Sequence, residues 1–404
     1  MSFSGVFAIG LSGINAFATG LEAVSDNIAN TQTTGFKRVR TDFSDLITAK
    51  APSGGINGGG ASAVNRQLIT EQGAITRTNS ETDLAVSGDG FFVVSESATG
   101  TPANEPFLFT RAGGFTAQAD GTLMNDSGFF LRAAPVASNG AVALGGLSAL
   151  ETVDIDNIPS LAAATSTITL AGNIDANAAT GASVTQNFQI FDTNGAARQL
   201  ALSLTNAGTG QWNAVAAFTD GARETVATGS LVFGANGLID QAASSFPATL
   251  TIAANAGQTI DVNLASLSHA ARATQFTTAT ANGAAAGSLT GVEISKDGRI
   301  AALFSNGLSR DIYQIALANF VNADGLDDGP ASTFSLTSSA GDLSLEIPQT
   351  GRAGAIESAA LEISTVDIGQ EFSTLIQTQR AYSANTRVIT VADELWRTLT
   401  QTAA

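Results

Sequence analysis

The two ends of the chain carry the same pattern of apolar positions, and the long middle carries a different one. At both ends these positions recur at alternating steps of four and three residues, which is the spacing of one stripe along an α-helix. The first stripe consists of Phe3, Phe7, Gly10, Ile14, Phe17, Leu21, Val24 and Ile28. The second consists of Ile368, Phe372, Leu375, Gln379, Tyr382, Thr386, Ile389, Asp393 and Trp396, widened by Ile376, Leu395 and Leu399. The pattern predicts a helix at each end.

Between the ends the chain has the pattern of short β-strands. Apolar and polar residues alternate cleanly in two stretches, 200–204 and 260–264, as in antiparallel sheets with one solvated face. Asx-Gly pairs, which supply the positive φ angles of tight hairpins, separate such stretches. These pairs begin at Asp89, Asp120, Asn139, Asn194, Asp220, Asn236, Asp297 and Asn306.

Pairing of the two terminal helices would force everything between them into nested segments. The central third is richer in Ala, Thr and Asn than its flanks and could be excised without disturbing them, so we expect an inserted domain. The predicted class is α+β, mostly antiparallel β, with two nested β domains and paired terminal helices. The predicted parts are an axial coiled-coil domain (1–31 and 362–404), a Gly-rich linker segment (32–67), an inner β domain (68–148 and 286–361) and an outer β domain (149–285).

Composition excludes several kinds of function. There are no cysteines and one histidine, His269, so thiolate chemistry is absent and metal or general-base sites lack their usual ligands. We expect no catalytic residues, no cofactor and no metal. A formal net charge of −17 argues against a nucleic-acid partner. The small basic cluster Lys37, Arg38 and Arg40 is expected to be a solvated exit from the first helix.

The amino end lacks the marks of a cleaved secretory signal, because its first basic residue is Lys37. No stretch approaches the roughly 18 continuous apolar residues of a membrane span, so no membrane insertion is expected. The first helix has only two charged residues before Lys37, namely Glu22 and Asp26. A helix with so little charge is expected to have neighbours, either in other copies of the chain or, alternatively, inside one globular domain.

Motifs at both ends resemble those of the bacterial flagellar rod and hook family. The first helix closes on the run from Ser25 to Lys37, which contains Asn27-Ile28-Ala29-Asn30 and Gly35-Phe36-Lys37. The carboxyl end has Gln379-Arg380-Ala381-Tyr382 and Val388-Ile389-Thr390, followed by Ala392-Asp393-Glu394. The stretches 82–92 and 109–121 are similar to the family's inner β domain.

The resemblance implies a structural protein without catalysis. It implies a hook subunit that polymerises into a curved tube, the universal joint between rod and filament. Implied partners are other copies of the chain, rod, hook-cap and hook–filament junction proteins, and the type III export apparatus. The implied location is the extracellular hook, reached without a cleaved signal. The expected subunit-interface residues are Phe3, Phe7, Ile14, Phe17, Leu21, Val24, Asn27, Ile28, Asn30, Phe36, Phe372, Leu375, Ile376, Tyr382, Asn385, Ile389, Leu395 and Trp396.

Two alternatives stay open at this point. The first is a distal rod subunit with an unusual insert, which would form a straight, rigid assembly. The second is a secreted β-rich protein that binds or hydrolyses glycans through paired carboxylates, as glycosidases do. Such a protein would be a monomer with ordered ends.

Overall fold

The computed structural model describes residues 3–50, 56–99, 106–220, 224–252 and 257–402. Both predicted terminal helices are present and long. They are α1, Phe3–Ala29, and α2, Ile368–Thr402. Asp367 caps the amino-terminal end of α2. Its side-chain Oδ1 accepts a hydrogen bond of 3.0 Å from the backbone amide of Gln370. That is the usual way in which a residue with a short polar side chain caps a helix.

The segment between the helices is almost entirely β-structure, with three short 3₁₀ turns at Leu147–Ala149, Ala323–Gly325 and Pro330–Ser332. The strands up to residue 152 are β1 Val39–Lys50, β2 Ile56–Gln67, β3 Ile75–Arg77, β4 Leu84–Ser87, β5 Phe91–Ser95, β6 Leu108–Thr110, β7 Phe115–Ala117, β8 Leu123–Asn125, β9 Phe130–Pro135 and β10 Glu151–Thr152. The next are β11 Leu161–Ala163, β12 Thr167–Asp175, β13 Ser183–Phe191, β14 Ala197–Gly208, β15 Gln211–Phe218, β16 Thr225–Val232, β17 Thr249–Ile252, β18 Gln258–Asn263, β19 Leu267–Ala270, β20 Gln275–Ala281 and β21 Ala284–Gly287. The last are β22 Leu289–Ile294, β23 Arg299–Phe304, β24 Ser309–Gln314, β25 Leu317–Phe320, β26 Asp327–Asp328, β27 Thr333–Ser335, β28 Leu343–Glu346, β29 Ala355–Ser358 and β30 Ala360–Glu362.

The chain divides into two compact units. The first comprises 1–157, 292–301 and 311–404, and the second comprises 158–291 and 302–310. The second unit is therefore inserted in the first along the sequence. It begins later and ends later than the predicted outer domain, 149–285. The assignment of these bounds to functional domains remains a prediction.

Strand β5 is central to the sheet of the first unit, and all five of its residues are buried. It pairs antiparallel with β6, β9 and β25. Phe92 and Val94 belong to one core cluster, whereas Phe91 and Val93 belong to another. Because successive side chains of a strand point to opposite faces, this continuous apolar run is explained by a core on each face.

In the second unit two sheets surround one core, and β11 pairs with β21 in a further two-stranded sheet. Strands β13 to β16 form an antiparallel sheet in chain order, and β17, β18, β12 and β19 form the other, with β20 also paired to β12. The alternating apolar residues predicted from the sequence lie in the shared core, among them Leu200, Leu204 and Ile260, each at most 1% exposed. Strand β12 pairs in parallel with β18 and β19, so this unit is not wholly antiparallel.

Six of the seven Asx-Gly pairs whose glycines the structure describes lie in turns; the seventh, Asp89-Gly90, lies between β4 and β5, which are each paired with other strands. In each pair whose glycine the structure describes, that glycine has a positive φ angle. Gly121, for example, has φ +82°, and an added Cβ there would meet the backbone nitrogen of Asp156 at 2.6 Å. The pair at Asp220 has its glycine outside the described residues.

The segment predicted to be a Gly-rich linker contains a strand pair instead. Strands β1 and β2 pair antiparallel, from Val39 opposite Gln67 to Lys50 opposite Ile56. Gly60 has φ +107°, and a Cβ at this position would overlap Ser12 Oγ of α1 at 1.8 Å. The glycines therefore bring a strand close to the helix, where Ser12 Oγ accepts a bond from the Ala61 amide at 3.2 Å.

We expect substitutions of Ile356 and Ile363 to distinguish a core position from a surface position in the first unit. Ile356 is 0% exposed within a core cluster, whereas Ile363 is 46% exposed. Ile356→Ala should lower the free energy of unfolding by about 2–5 kcal/mol because it leaves a cavity. Ile363→Ala should change it by less than about 1 kcal/mol. Urea unfolding followed by circular dichroism measures both, and equal losses would contradict this assignment of the core.

Candidate assembly interface at the paired chain ends

Helices α1 and α2 pack antiparallel through small residues of α1. A Cβ added at Gly10 would lie 2.9 Å from Cγ1 of Ile389, and one added at Gly13 would lie 2.9 Å from Oδ1 of Asn385. Farther along, Gly20 faces Thr378 at 3.4 Å. As the numbers rise along α1 they fall along α2, which defines the antiparallel direction. We call these facing positions, together with Asn27 and Glu371, the helix seam.

At three positions the residue that faces α2 is the one just before the residue of the predicted apolar stripe. The helix seam contains Gly13, Gly20 and Asn27, whereas the sequence pattern predicts Ile14, Leu21 and Ile28. Those larger side chains are half-buried beside the seam. Small residues on the seam allow the two backbones to approach closely, which bulky residues at the same positions would prevent.

The β1–β2 strand pair covers part of α1. The Phe17 and Phe43 rings lie 5.3 Å apart between centroids, tilted by 42°. Offset or tilted rings at this distance are favourable aromatic contacts. Other residues of the same chain thereby cover part of the predicted apolar stripe.

Asn27 joins the end of α1 to both the strand pair and α2. Its Oδ1 accepts a bond from the Val39 amide at 2.8 Å, and its Nδ2 donates to the Val39 carbonyl at 2.7 Å. Nδ2 also donates to Oε2 of Glu371 at 3.2 Å. Glu371 in turn accepts from Arg38 Nε at 2.6 Å. An amide with both donor and acceptor functions suits this position, because it matches a backbone amide and carbonyl together.

A second buried group ties the segment after α1 to the segment before α2. Glu362, 0% exposed, accepts a bond from Lys37 Nζ at 2.7 Å and one from Arg111 Nη1 at 3.2 Å. The Gly73 amide donates to the same carboxylate at 2.8 Å, and Lys37 also donates to the Glu71 carbonyl. We call Asn27, Lys37, Arg38, Arg111, Glu362 and Glu371 the end clasp.

The end clasp corrects the expectation that Lys37, Arg38 and Arg40 form a solvated helix exit. Lys37 is 1% exposed, and the Arg38 side chain is 15% exposed against Glu371. Only Arg40 is at the surface, paired with Asp42. Burial lowers the pKa of Lys37 and the pKa of Arg111, while the Glu362 carboxylate opposes both shifts. Buried cations need such a partner, because an unpaired charge in the interior is costly.

The predicted interface residues fall into three groups by exposure. Within the chain, three are buried: Val24, Asn27 and Phe36. Nine are half-buried: Phe7, Ile14, Phe17, Leu21, Ile28, Asn30, Leu375, Asn385 and Ile389. Five are exposed: Phe372, Ile376, Tyr382, Leu395 and Trp396. Phe3 is the first residue of α1.

Sequence reasoning missed the charged members of the end clasp. Glu362 and Glu371 are separated from Lys37 and Arg38 by more than 300 residues, so no local pattern connects them. The glycines at 10, 13 and 20 repeat at steps of three and seven, and this spacing was the available signal for the helix seam.

Helix α2 leaves two groups of apolar side chains without cover in the described part of the chain, one near its start and one near its end. Seven are between 48% and 53% exposed: Ile368, Phe372, Ile376, Val388, Val391, Leu395 and Trp396. Large exposed apolar patches mark interaction surfaces. Helix α1 is also apolar enough, over Gly5–Ala29, to cross a membrane by length and composition alone. Its contacts with α2 and the strand pair are another explanation of that apolar character.

The described residues offer no group of three or more His, Asp or Glu side chains able to hold a metal ion. The one histidine, His269, stacks on Phe233 with ring centroids 4.9 Å apart. Its ring therefore packs as part of the second unit.

Four sequence families match successive parts of the chain. They are described as flagella basal body rod protein (7–37), flagellar hook protein FlgE/F/G D1 domain (85–176), flagellar basal body protein FlaE D2 domain (157–287) and flagellar basal body rod FlgEFG protein C-terminal (357–402). The first and last of these cover most of α1 and α2. Together with the paired helices, they define an axial subunit of the bacterial flagellum.

Full-length relatives narrow this class. The chain is 32% identical to the flagellar hook protein FlgE of Brucella abortus, with 98% of each chain covered. It is 32% identical to that of Rhizobium meliloti, with 99% of each covered, and 28% identical to that of Escherichia coli, with 97% of this chain and 98% of the other covered. The chain belongs to the flagellar hook protein family: it is a structural subunit of the flagellar hook, where it polymerises with its own copies.

A solved structure of the Helicobacter pylori flagellar hook protein FlgE2 is also similar. It aligns with a TM-score of 0.47 at 13% identity, covering 71% of this chain and 100% of the other.

We expect Glu362→Gln to destabilise the first unit strongly, because Lys37 and Arg111 would remain buried without a counter-charge. The expected loss is about 3–5 kcal/mol of unfolding free energy. Glu357→Gln is the matched control, since Glu357 pairs with Lys296 at 2.9 Å where both side chains are accessible to solvent. Its expected loss is under about 1 kcal/mol. Urea unfolding compares them, and similar small losses would show that the end clasp contributes little.

Alanine at two glycines of the helix seam should have opposite effects. Gly10→Ala must displace Ile389, which lies 2.9 Å from the new methyl group. It should lower hydrogen-exchange protection in α2 around residue 389. Gly20→Ala meets only ordinary contacts at 3.4 Å and should stabilise α1 by up to about 1 kcal/mol. Equal protection of α2 in the two variants would contradict the close approach at Gly10.

Proposed function

We propose that copies of this chain polymerise through their terminal helices into a curved tube that transmits torque as a universal joint. The observation that carries the proposal is the set of seven exposed apolar side chains on α2. Burying apolar surface is the main favourable term in association, and these side chains have no cover among the described residues of their own chain. Identical subunits joined by non-closing contacts form a helical filament.

Two groups among the 18 residues expected from the sequence have distinct roles in this proposal. Those that are exposed on α2 contact other copies directly. Those that are buried within the chain, Val24, Asn27 and Phe36, hold the helix pair in the form that the polymer needs. The axial domain would then comprise 1–31 and 362–404, with the inner and outer β domains as the sequence predicts.

The proposal includes further binding partners, which membership of the family implies. They are the rod, the hook cap, the hook–filament junction proteins and the type III export apparatus. The chain would reach the outside of the cell without a cleaved signal, would not insert into a membrane and would carry no catalytic site. Its terminal helices would order fully only on assembly, because packing rather than intrinsic propensity stabilises most helices.

The proposal predicts that polar substitutions on α2 abolish tube formation. Ile376→Ser combined with Leu395→Ser removes two side chains that are 49% and 53% exposed. Sedimentation and electron microscopy should show curved tubes for the natural chain and none for this variant at the same concentration. Leu238→Ser, at a 48% exposed position of the second unit, is the matched control and should still form tubes.

Two results would contradict the proposal. Normal tubes from the α2 variant would show that the exposed apolar side chains of α2 are not the assembly surface. Straight, rigid assemblies from the natural chain would indicate a distal rod subunit instead of a hook subunit.

A further inference from the structure

The face of α1 that points away from the helix seam is exposed and built mainly of small residues. Its positions step by three and four: Ala8, Leu11, Asn15, Ala18, Glu22, Ser25 and Ala29. Small side chains let another backbone approach closely. This face is therefore shaped to enter a groove rather than to receive a large side chain.

Two carboxylates stand on or beside this face, one helical turn apart. Glu22 and Asp26 are both exposed, and no ion pair to either is found in the described part of the chain. Asp26 Oδ1 accepts a bond from the Asn30 amide group at 2.9 Å. The pKa of nearby Asp328 is raised, first by burial and then by the charges of Asp327 and Asp26. The region around Asp26 therefore carries excess negative charge.

Helix α2 presents the opposite charge. Arg380 and Arg387 are exposed, have no ion-pair partner among the described residues and line one groove of about 470 Å³. Its other lining residues are Ile376, Gln379, Ser383 and Ala384. Arg397 on the same helix is different, because Asp393 pairs with it at 3.1 Å.

These acids and arginines cannot meet within one chain. Glu22 follows the seam residue Gly20 by two positions, and Arg380 and Arg387 follow the seam residues Thr378 and Asn385 by two. Two positions turn a helix by about 200°, so Glu22 and the two arginines lie on the sides of their helices opposite to the seam. A second copy of the chain can therefore supply their counter-charges.

We propose that the acidic outer face of α1 in one copy docks in the arginine-lined groove on α2 of a second copy. The proposal rests on the proposed function and adds which faces of the helices meet. The contact joins two different surfaces, so repeating it extends a filament. Glu22 and Asp26 are about 6 Å apart along the helix axis and the two arginines about 10 Å apart, a difference that long arginine side chains can span.

Charge reversal tests this docking on the full chain. Glu22→Arg with Asp26→Arg should raise the critical concentration for polymerisation about tenfold, and Arg380→Glu with Arg387→Glu should do the same, because like charges would then face each other. Combining all four reversals should return the critical concentration to within about threefold of the natural value, since the charges are again complementary. Sedimentation measures the critical concentration, and circular dichroism checks helix content.

Matched controls carry the same change in net charge elsewhere. Glu81→Arg with Asp342→Arg matches the first variant, and Arg272→Glu with Arg352→Glu matches the second, all at exposed positions. Both controls should polymerise like the natural chain. The docking is overturned if the α1 and α2 variants behave like these controls, or if the fourfold variant stays defective. Failure of the natural chain to polymerise would overturn the proposed function itself.

Discussion

The Glu362 carboxylate is the group on which the joining of the two chain ends depends. It lies fully buried between Lys37, which follows α1, and Arg111, in the inner β region, and it also accepts the Gly73 amide. Two buried cations share one anion, so loss of the carboxylate would leave both cations without a counter-charge in the interior. Because strand β30 ends at Glu362 and α2 begins shortly after it, this cluster determines where the second helix starts relative to the first.

The register of the helix seam continues from that junction. Asn27 and Glu371, which belong to both the end clasp and the helix seam, form a pair at one end of the seam, and the facing positions then run through Gly20 and Thr378 to Gly10 and Ile389. A seam of glycines offers little side-chain burial of its own. Its contribution is proximity, which lets two backbones pack closely and leaves the bulkier apolar residues of both helices at its margins or on outer faces.

Periodicity was sufficient to predict both helices, and Asx-Gly pairs were sufficient to predict most of the turns, because these features depend on amphipathic spacing and on local backbone preference. Periodicity was insufficient for the seam. A hydrophobicity pattern favours Ile14, Leu21 and Ile28, whereas the close approach depends on the neighbouring Gly13, Gly20 and Asn27. The Gly-rich stretch that ends at Gly60 likewise indicated a linker, whereas Gly60 lies against Ser12 of a helix that is distant in the sequence. Residues that act through partners hundreds of positions away leave no local signal, and Glu362 is the clearest case.

A structural subunit has to reconcile a fixed internal geometry with surfaces that stay free for its neighbours. Buried ion pairs add little net stability compared with apolar packing, but they are specific about which groups meet. The end clasp provides that specificity within the chain, where α1 ends and α2 begins. The exposed residues of α2 include large apolar side chains and two arginines, Arg380 and Arg387, without an ion-pair partner in the described part of the chain, which suits contacts that form only between copies. The buried charges and the glycine seam thus shape one subunit, and the uncovered apolar side chains of α2 are the surface that we propose for joining it to the next.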